Sequence, residues 1–88
     1  MPQAPQSPAP GSIVMLSTGW CGYCKRLKTQ LSSAGIPVTE IDIETDPSFI
    51  EFIESVNDGN RTVPTVVYPD GTAATNPTLN QVKSALGI

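Results

Sequence analysis

Short continuous apolar runs and longer stretches with one apolar stripe follow one another along the chain. Residues 13–16, Ile-Val-Met-Leu, have the length and β-branching of a strand buried on both faces. Residues 21–34 predict a helix, because Gly35 favours a helix end and Pro37 cannot continue one. The stripe expected to face the core consists of Leu27, Leu31 and Ala34.

The middle of the chain predicts a second strand and a second helix. Residues 37–43 form the strand, and their apolar positions break the alternation between Val38 and Ile41, which predicts that both faces are covered. Asp46-Pro47 begins the helix, since aspartate caps a helix start and proline fits its first position. Residues 57–59, Asn-Asp-Gly, end it. Its expected buried stripe consists of Phe49, Ile53 and Val56.

The C-terminal third predicts a hairpin and a last helix. Residues 62–68 and 72–75 are the two strands, and residues 69–71, Pro-Asp-Gly, form the turn between them. Residues 76–78 open a helix whose inward positions are Leu79, Val82 and Leu86. The order is β-α-β-α-β-β-α. Because a β-α-β unit pairs its strands in parallel and a hairpin in antiparallel, this order predicts an α/β fold with a four-stranded mixed sheet flanked by three helices.

The first twelve residues differ from the rest, with four prolines among the first ten and no charge. Proline lacks an N–H donor, so residues 1–12 predict a flexible, partly polyproline-like tail outside a folded domain of residues 13–88. We favour a dispensable extension over a proline-rich ligand. The start lacks the regions of a signal peptide, and no apolar run reaches the ~18 residues of a membrane helix. Both observations predict a cytoplasmic protein without a membrane partner.

Length, charge and the absence of histidine exclude several classes of function. A chain of 88 residues gives one domain, and its net charge is −3. Residues 1–39 hold three cations and no acid, whereas residues 40–88 hold all eight acids. A pI near 4.5 argues against a nucleic-acid partner. Histidine is absent, which excludes histidine triads and histidine metal sites.

Cys21 and Cys24 are the two cysteines, in the motif Trp-Cys-Gly-Tyr-Cys where a predicted strand meets a helix. A C-x-x-C motif in that setting indicates thiol redox chemistry. Unpaired amides and the helix dipole favour an ionised Cys21, and Lys25 and Lys28 add positive potential. We therefore predict a lowered pKa for the Cys21 thiol, which makes it the nucleophile, with the more buried Cys24 as the resolving thiol.

The same residues admit less reactive roles. A structural zinc site needs four ligands and the chain offers two thiols, so no metal is predicted. A structural disulfide would close a very small loop, and two inert buried cysteines remain an alternative. For Trp20, contact with a ligand and local packing are equally supported roles. For Tyr23, which lies inside the motif, contact with a ligand is favoured. Arg26 fits a solvated helix face.

Residues 61–64, Arg-Thr-Val-Pro, are the second informative stretch. Proline cannot donate to a strand ladder, yet Pro64 opens an apolar strand. A cis Val63–Pro64 bond would explain this and would leave the Val63 N–H and C=O free to pair with an extended ligand. An ordinary trans proline at a strand start remains the alternative.

Together these residues resemble the glutaredoxin branch of the thioredoxin superfamily over roughly residues 13–86, and within it the mycoredoxins. Residues 20–24, 57–66 and 75–77 carry the likeness. It implies a thioredoxin fold, Cys21 as the attacking cysteine and Val63-Pro64 as a cis-proline loop. Ordinary glutaredoxins have Gly-Gly and an acidic pair where this chain has Thr-Asn-Pro-Thr at 75–78, which disfavours glutathione. The expected substrate-binding residues are Trp20, Tyr23, Arg61, Thr62, Val63, Pro64, Thr75 and Asn76.

The resemblance implies reduction of mixed disulfides between proteins and mycothiol, the thiol that some bacteria use instead of glutathione. The expected partners of this monomer are mycothiol as co-substrate, S-mycothiolated proteins, and a separate mycothiol disulfide reductase that draws on NADPH. No bound cofactor is expected. One rival is a dithiol electron donor to ribonucleotide reductase, fed by thioredoxin reductase. A third is an iron–sulfur carrier that uses Cys21 thiolates of two chains, suggested by Gly22.

Overall fold

A computed structural model describes residues 3–88 and contains one four-stranded sheet. The strands are β1 (Ile13–Ser17), β2 (Val38–Asp42), β3 (Thr65–Val67) and β4 (Ala73–Thr75). The helices are α1 (Gly22–Ser33), α2 (Ile50–Val56) and α3 (Leu79–Leu86), with a 3-10 turn at Pro47–Phe49 before α2. The sheet order is β2-β1-β3-β4, with β1 and β2 parallel and the other pairs antiparallel. The predicted thioredoxin-like mixed sheet with three helices is confirmed.

Strand β1 is the centre of the core, and all five of its residues are buried. Its side chains alternate between two faces, as the pleat requires. Ile13 and Met15 pack on one face with residues of α1 and α3, in the first core cluster. Val14 and Leu16 pack on the other face with residues of α2, in the second cluster. This strand therefore fixes the position of the loop that leads into α1.

Strand β2 differs in part from its prediction because it lies at an edge of the sheet. Val38 packs against the first cluster and Ile41 against the second, so apolar residues do face both sides. Both are only half-buried, and Thr39 and Glu40 between them are exposed. Apolar residues of β2 therefore pack on both faces, as expected, but the cover is partial.

Two predicted buried stripes need correction. Val56 is 43% exposed, whereas Phe52 and Ile53 are the buried residues of α2. The α-helix begins only at Ile50, after the 3-10 turn, and this shift changes which residues face the core. Ala34 is also exposed, since it caps the end of α1 instead of continuing its buried stripe.

The tail lies partly against the domain. Its first two residues are outside the described range, but Pro5 is buried and Pro8 half-buried, while the residues on either side of each are exposed. Burial every third residue matches the period of a polyproline II helix. Residues 5–8 line a cavity of about 430 Å³ together with Val14, Thr39, Ile41, Asp46 and Phe49. No helix within residues 3–88 is long and apolar enough to cross a membrane.

Candidate active site

Cys21 is the N-terminal cap of α1, directly after the loop that leaves β1. Its backbone is extended, and its Sγ accepts a hydrogen bond from the Cys24 backbone N–H at 3.1 Å. Serine and aspartate side chains usually satisfy this amide at helix starts. Here a sulfur atom takes that place, at the positive end of the helix dipole. The predicted position of Cys21 at the helix start is confirmed.

The structure contains the oxidised form of the motif, with Cys21 and Cys24 joined by a disulfide and their Cα atoms 5.3 Å apart. Cys24 is 1% exposed and Cys21 is 5% exposed, and both belong to the first core cluster. Cys24 is thus the more buried sulfur, as expected, although the difference is small. A second thiol within bonding distance lets the pair store or release two electrons as one unit.

The cis-proline loop lies beside the reactive sulfur. The Val63–Pro64 bond is cis, as predicted, and the Val63 carbonyl oxygen is 3.9 Å from Cys21 Sγ. Within residues 3–88, neither the N–H nor the C=O of Val63 forms a backbone hydrogen bond. Both groups are therefore available to pair with an extended backbone that approaches the sulfur.

Two exposed aromatic side chains flank the cysteines. Trp20 is 71% exposed and Tyr23 is 65% exposed. The indole N–H of Trp20 donates to Glu44 Oε2 at 3.1 Å, so the ring is held at the surface from the β2–α2 connection. The exposure of Trp20 argues against local packing under the loop. Its contact with substrate stays a prediction.

Arg61 and Thr62 lead into the cis-proline loop and are tied to nearby protein groups. Arg61 Nε donates to Glu54 Oε2 at 3.1 Å, which connects the loop to α2. The Thr62 carbonyl accepts a 2.8 Å hydrogen bond from the Thr65 hydroxyl. The geometry thus gives these residues a part in shaping the loop. A direct role in substrate binding stays a prediction for both.

An open cleft of about 460 Å³ lies between α1 and the start of α3. Its lining residues are Tyr23, Arg26, Leu27, Gln30, Asn76, Pro77, Thr78, Leu79 and Asn80. Among the described residues, the lining offers amide and hydroxyl groups, one cation and no carboxylate. This composition suits a polar ligand.

Arg26, Gln30, Thr78 and Asn80 in this cleft were absent from the predicted substrate-binding residues. Arg26 in particular was expected only on a solvated helix face. Tyr23, Arg26 and Gln30 are spaced three and then four residues apart, which places them on one helical face. That spacing was a usable signal, but only the packing of α3 shows which groups they face.

Lys28 was expected to add positive potential at the cysteines, and the structure pairs it elsewhere. Its Nζ lies 2.9 Å from Glu40 Oε1 on β2. The Ser17 hydroxyl donates to the other oxygen of Glu40 at 3.0 Å. The hydrogen bond from Lys28 lowers the pKa of the Glu40 carboxyl, and burial opposes it. Because Glu40 offsets the Lys28 charge, Lys25 and the helix dipole remain the expected sources of positive potential.

A protein-family model and related sequences point to one family, and a solved structure shares the fold. A family model described as Glutaredoxin matches residues 13–72. A Mycobacterium tuberculosis protein named as a glutaredoxin is 49% identical over 75 residues, which are 85% of this chain and 89% of that protein. Mycoredoxin 1 of Corynebacterium glutamicum is 45% identical over 71 residues, 81% of this chain and 87% of that protein. The crystal structure of a Methanosarcina mazei glutaredoxin superposes with a TM-score of 0.74 at 19% identity, over 89% of this chain and 80% of that one.

Proposed function

This chain belongs to the glutaredoxin family, and we propose that within it the protein reduces mixed disulfides between proteins and mycothiol through Cys21. The observation that carries the proposal is the position of Cys21 Sγ as the cap of α1, 3.9 Å from the Val63 carbonyl. The 45% identity to Mycoredoxin 1 supports mycothiol as the small thiol.

The cap position favours the thiolate once the disulfide is reduced. The Cys24 N–H that donates to Cys21 Sγ interacts more strongly with a negative sulfur than with a neutral one. The helix dipole acts in the same direction. These effects support a pKa of the Cys21 thiol below that of a free cysteine.

The proposed reaction has two exchange steps. The Cys21 thiolate attacks the mycothiol-side sulfur of the mixed disulfide, and the protein thiolate leaves and takes up a proton. A second mycothiol thiolate then attacks that same sulfur, which releases Cys21 as a thiolate and forms mycothiol disulfide. A separate NADPH-dependent mycothiol disulfide reductase restores mycothiol. These steps need reduced thiols, so the proposal places the protein in the cytoplasm.

The cleft beside Tyr23 supports a thiol other than glutathione. Glutathione carries a free ammonium group at its glutamyl end, and a carboxylate is the usual partner for that charge. The cleft offers Asn76 and Thr78 near the helix start and no carboxylate. Amides and hydroxyls instead match a sugar-bearing thiol such as mycothiol, which presents hydroxyl groups.

The disulfide between Cys21 and Cys24 favours one second candidate, a dithiol electron donor to ribonucleotide reductase. In that role both cysteines reduce a client disulfide directly and thioredoxin reductase restores them. Rapid NADPH consumption with thioredoxin reductase and a client disulfide, without mycothiol, would support this candidate over the first.

Mass spectrometry of a Cys24→Ser variant tests the main proposal. The variant is incubated separately with mycothiol disulfide and with glutathione disulfide, and the mass of each adduct identifies the thiol. We expect a Cys21–mycothiol adduct that forms faster than the glutathione adduct. Equal rates with both disulfides would refute the mycothiol assignment. A Cys21→Ser variant is the matched control, and an adduct on it would refute Cys21 as the nucleophile.

A further inference from the structure

Asn57 joins three segments of the chain that are distant in sequence. Its side-chain amide Nδ2 donates to the Ile53 carbonyl at 2.8 Å, near the end of α2. The same nitrogen donates to the Thr65 hydroxyl at 3.3 Å, at the start of β3. Its Oδ1 accepts a hydrogen bond from the hydroxyl of Thr75, the last residue of β4. One half-buried side chain thus connects α2, β3 and β4.

Two of these contacts lie next to the predicted substrate-binding residues. Thr65 follows Pro64 directly and donates its hydroxyl proton to the Thr62 carbonyl at 2.8 Å, across the cis-proline loop. Thr75 precedes Asn76, which lines the cleft. The Asn76 N–H donates to the Pro64 carbonyl at 2.8 Å. Through Thr65 and Thr75, Asn57 therefore stabilises both segments that the ligand would contact.

Asn57 forms more side-chain hydrogen bonds than the end of a helix requires. The hydrogen bond to Ile53 alone satisfies a carbonyl of the last turn of α2, which is the role that the sequence assigns to residues 57–59. That role does not explain an acceptor directed at Thr75, eighteen residues further along the chain. Nor does it explain the donor shared with Thr65, which is fully buried.

We propose that Asn57 is a positioning residue that sets the spacing between the cis-proline loop and the Thr75–Asn76 turn, and thereby the affinity for the small-thiol half of the mixed disulfide. The identity of that thiol rests on the proposed function. Asn57 does not line the cleft and forms no hydrogen bond with either cysteine among the described residues. Its effect should therefore appear in substrate binding and not in the reactivity of Cys21.

Steady-state kinetics of three variants test this inference. Asn57→Ala removes all three side-chain bonds, and Thr75→Val removes one hydroxyl at an exposed site with little change of shape. Each should raise KM for the mixed disulfide, by up to about tenfold for Asn57→Ala, with kcat within about twofold. Asn60→Ala is the matched control, since Asn60 Nδ2 donates only to the Asn57 carbonyl. Its KM should equal that of the wild type.

The double variant separates positioning from general stability. If Asn57 and Thr75 act through their shared bond, Asn57→Ala with Thr75→Val should raise KM less than the product of the two single effects. Independent effects would overturn the proposal. So would an unchanged KM in Asn57→Ala together with a lowered Tm, because that result is a structural role alone. If Asn57→Ala does not fold, the hydrogen exchange of the Asn76 amide in Thr75→Val decides in its place.

Hydrogen exchange at the Asn76 amide gives a readout that needs no substrate. Its bond to Pro64 should open more often in Asn57→Ala, so its exchange should accelerate relative to the amides of β1. It should not accelerate in Asn60→Ala. Unchanged exchange in Asn57→Ala would overturn the positioning role even if mycothiol is the substrate. Failure of the wild type to act on mycothiol disulfides would refute the proposed function and leave this measurement valid.

Discussion

The backbone N–H of Asn76 donates to the carbonyl of Pro64 at 2.8 Å and joins the turn before α3 to the cis-proline loop. The two residues are twelve positions apart, and each belongs to a segment that the sequence marks for substrate binding. Because Val63 beside this bond forms no backbone–backbone hydrogen bond among residues 3–88, the loop is fixed on one side and open on the other. A ligand backbone would meet an edge that is already ordered, which lowers the entropic cost of binding.

Replacing each cysteine separately should give unequal losses of activity. Cys21→Ser should abolish reduction of a mixed disulfide between a protein and mycothiol, because the attacking sulfur is absent. Cys24→Ser should retain much of the wild-type rate, since Cys24 is not needed for either exchange step. Release of the protein thiol, followed over time, measures both rates. Equal loss in the two variants would indicate a strictly dithiol mechanism.

Thiol alkylation of reduced Cys24→Ser should show an acidic Cys21. Only the thiolate reacts, so the alkylation rate falls as pH drops through the pKa of Cys21. We expect the midpoint below that of free cysteine, because the helix start favours the thiolate. A short peptide with the same motif lacks the formed helix and is the control. A protein midpoint equal to that of the peptide would show that the helix start does not activate the sulfur.

Stability at acidic pH should depend on Glu40. Its pKa in the folded chain is below its ordinary value of 4.5, mainly because of the hydrogen bond from Lys28. The unfolded chain therefore binds protons first, and the stabilisation is complete above that ordinary value and lost as pH falls through the folded value. The ion pair is partly exposed, so we expect it to contribute at most about 1 kcal/mol.

Urea unfolding at neutral pH and near pH 3 measures this contribution. Glu40→Gln should be less stable than the wild type at neutral pH, and the difference should shrink at the acidic pH. Glu51→Gln is the control, because Glu51 forms no ion pair within residues 3–88. A Glu40→Gln deficit that is the same at both pH values would contradict the assigned cause.

The proline-rich tail should contribute to stability and not to activity. Pro5 is buried against the domain and Pro10 is exposed. Pro5→Ser should lower the free energy of unfolding by about 1 kcal/mol through lost apolar burial, whereas Pro10→Ser should leave it unchanged. Urea unfolding compares the two variants, and both should keep the wild-type turnover. Equal stability of Pro5→Ser and the wild type would support the flexible, partly polyproline-like tail that the sequence predicts.

Local signals in the sequence were sufficient for much of the fold. The apolar run of β1 predicts a buried strand from its own residues alone. The proline of residues 61–64 indicated a cis bond because a residue without an N–H donor is unusual at the start of a central apolar strand. Phe52 was missed because a 3-10 turn shifts the phase of α2, and such a shift leaves no mark on the apolar spacing. Local patterns thus predict elements better than their boundaries.

The parts of the site that were missed depend on contacts between distant segments. Lys28 forms an ion pair with Glu40 only because β2 lies next to α1 in the folded chain. Arg26 lines a cleft only because α3 packs opposite it. Asn57 meets Thr75 across the ends of α2 and β4. None of these pairings follows from spacing along the sequence, because the sheet order decides them.

The Cys21 sulfur that caps α1 should take part in both exchange steps of each turnover. In the first exchange it is the nucleophile, and in the second it departs when another thiol attacks its adduct. A thiol of low pKa is the better leaving group, so the same amide that makes Cys21 reactive also eases its release. Strengthening the start of this helix should therefore speed the departure of the enzyme sulfur, while some of its intrinsic nucleophilicity is lost.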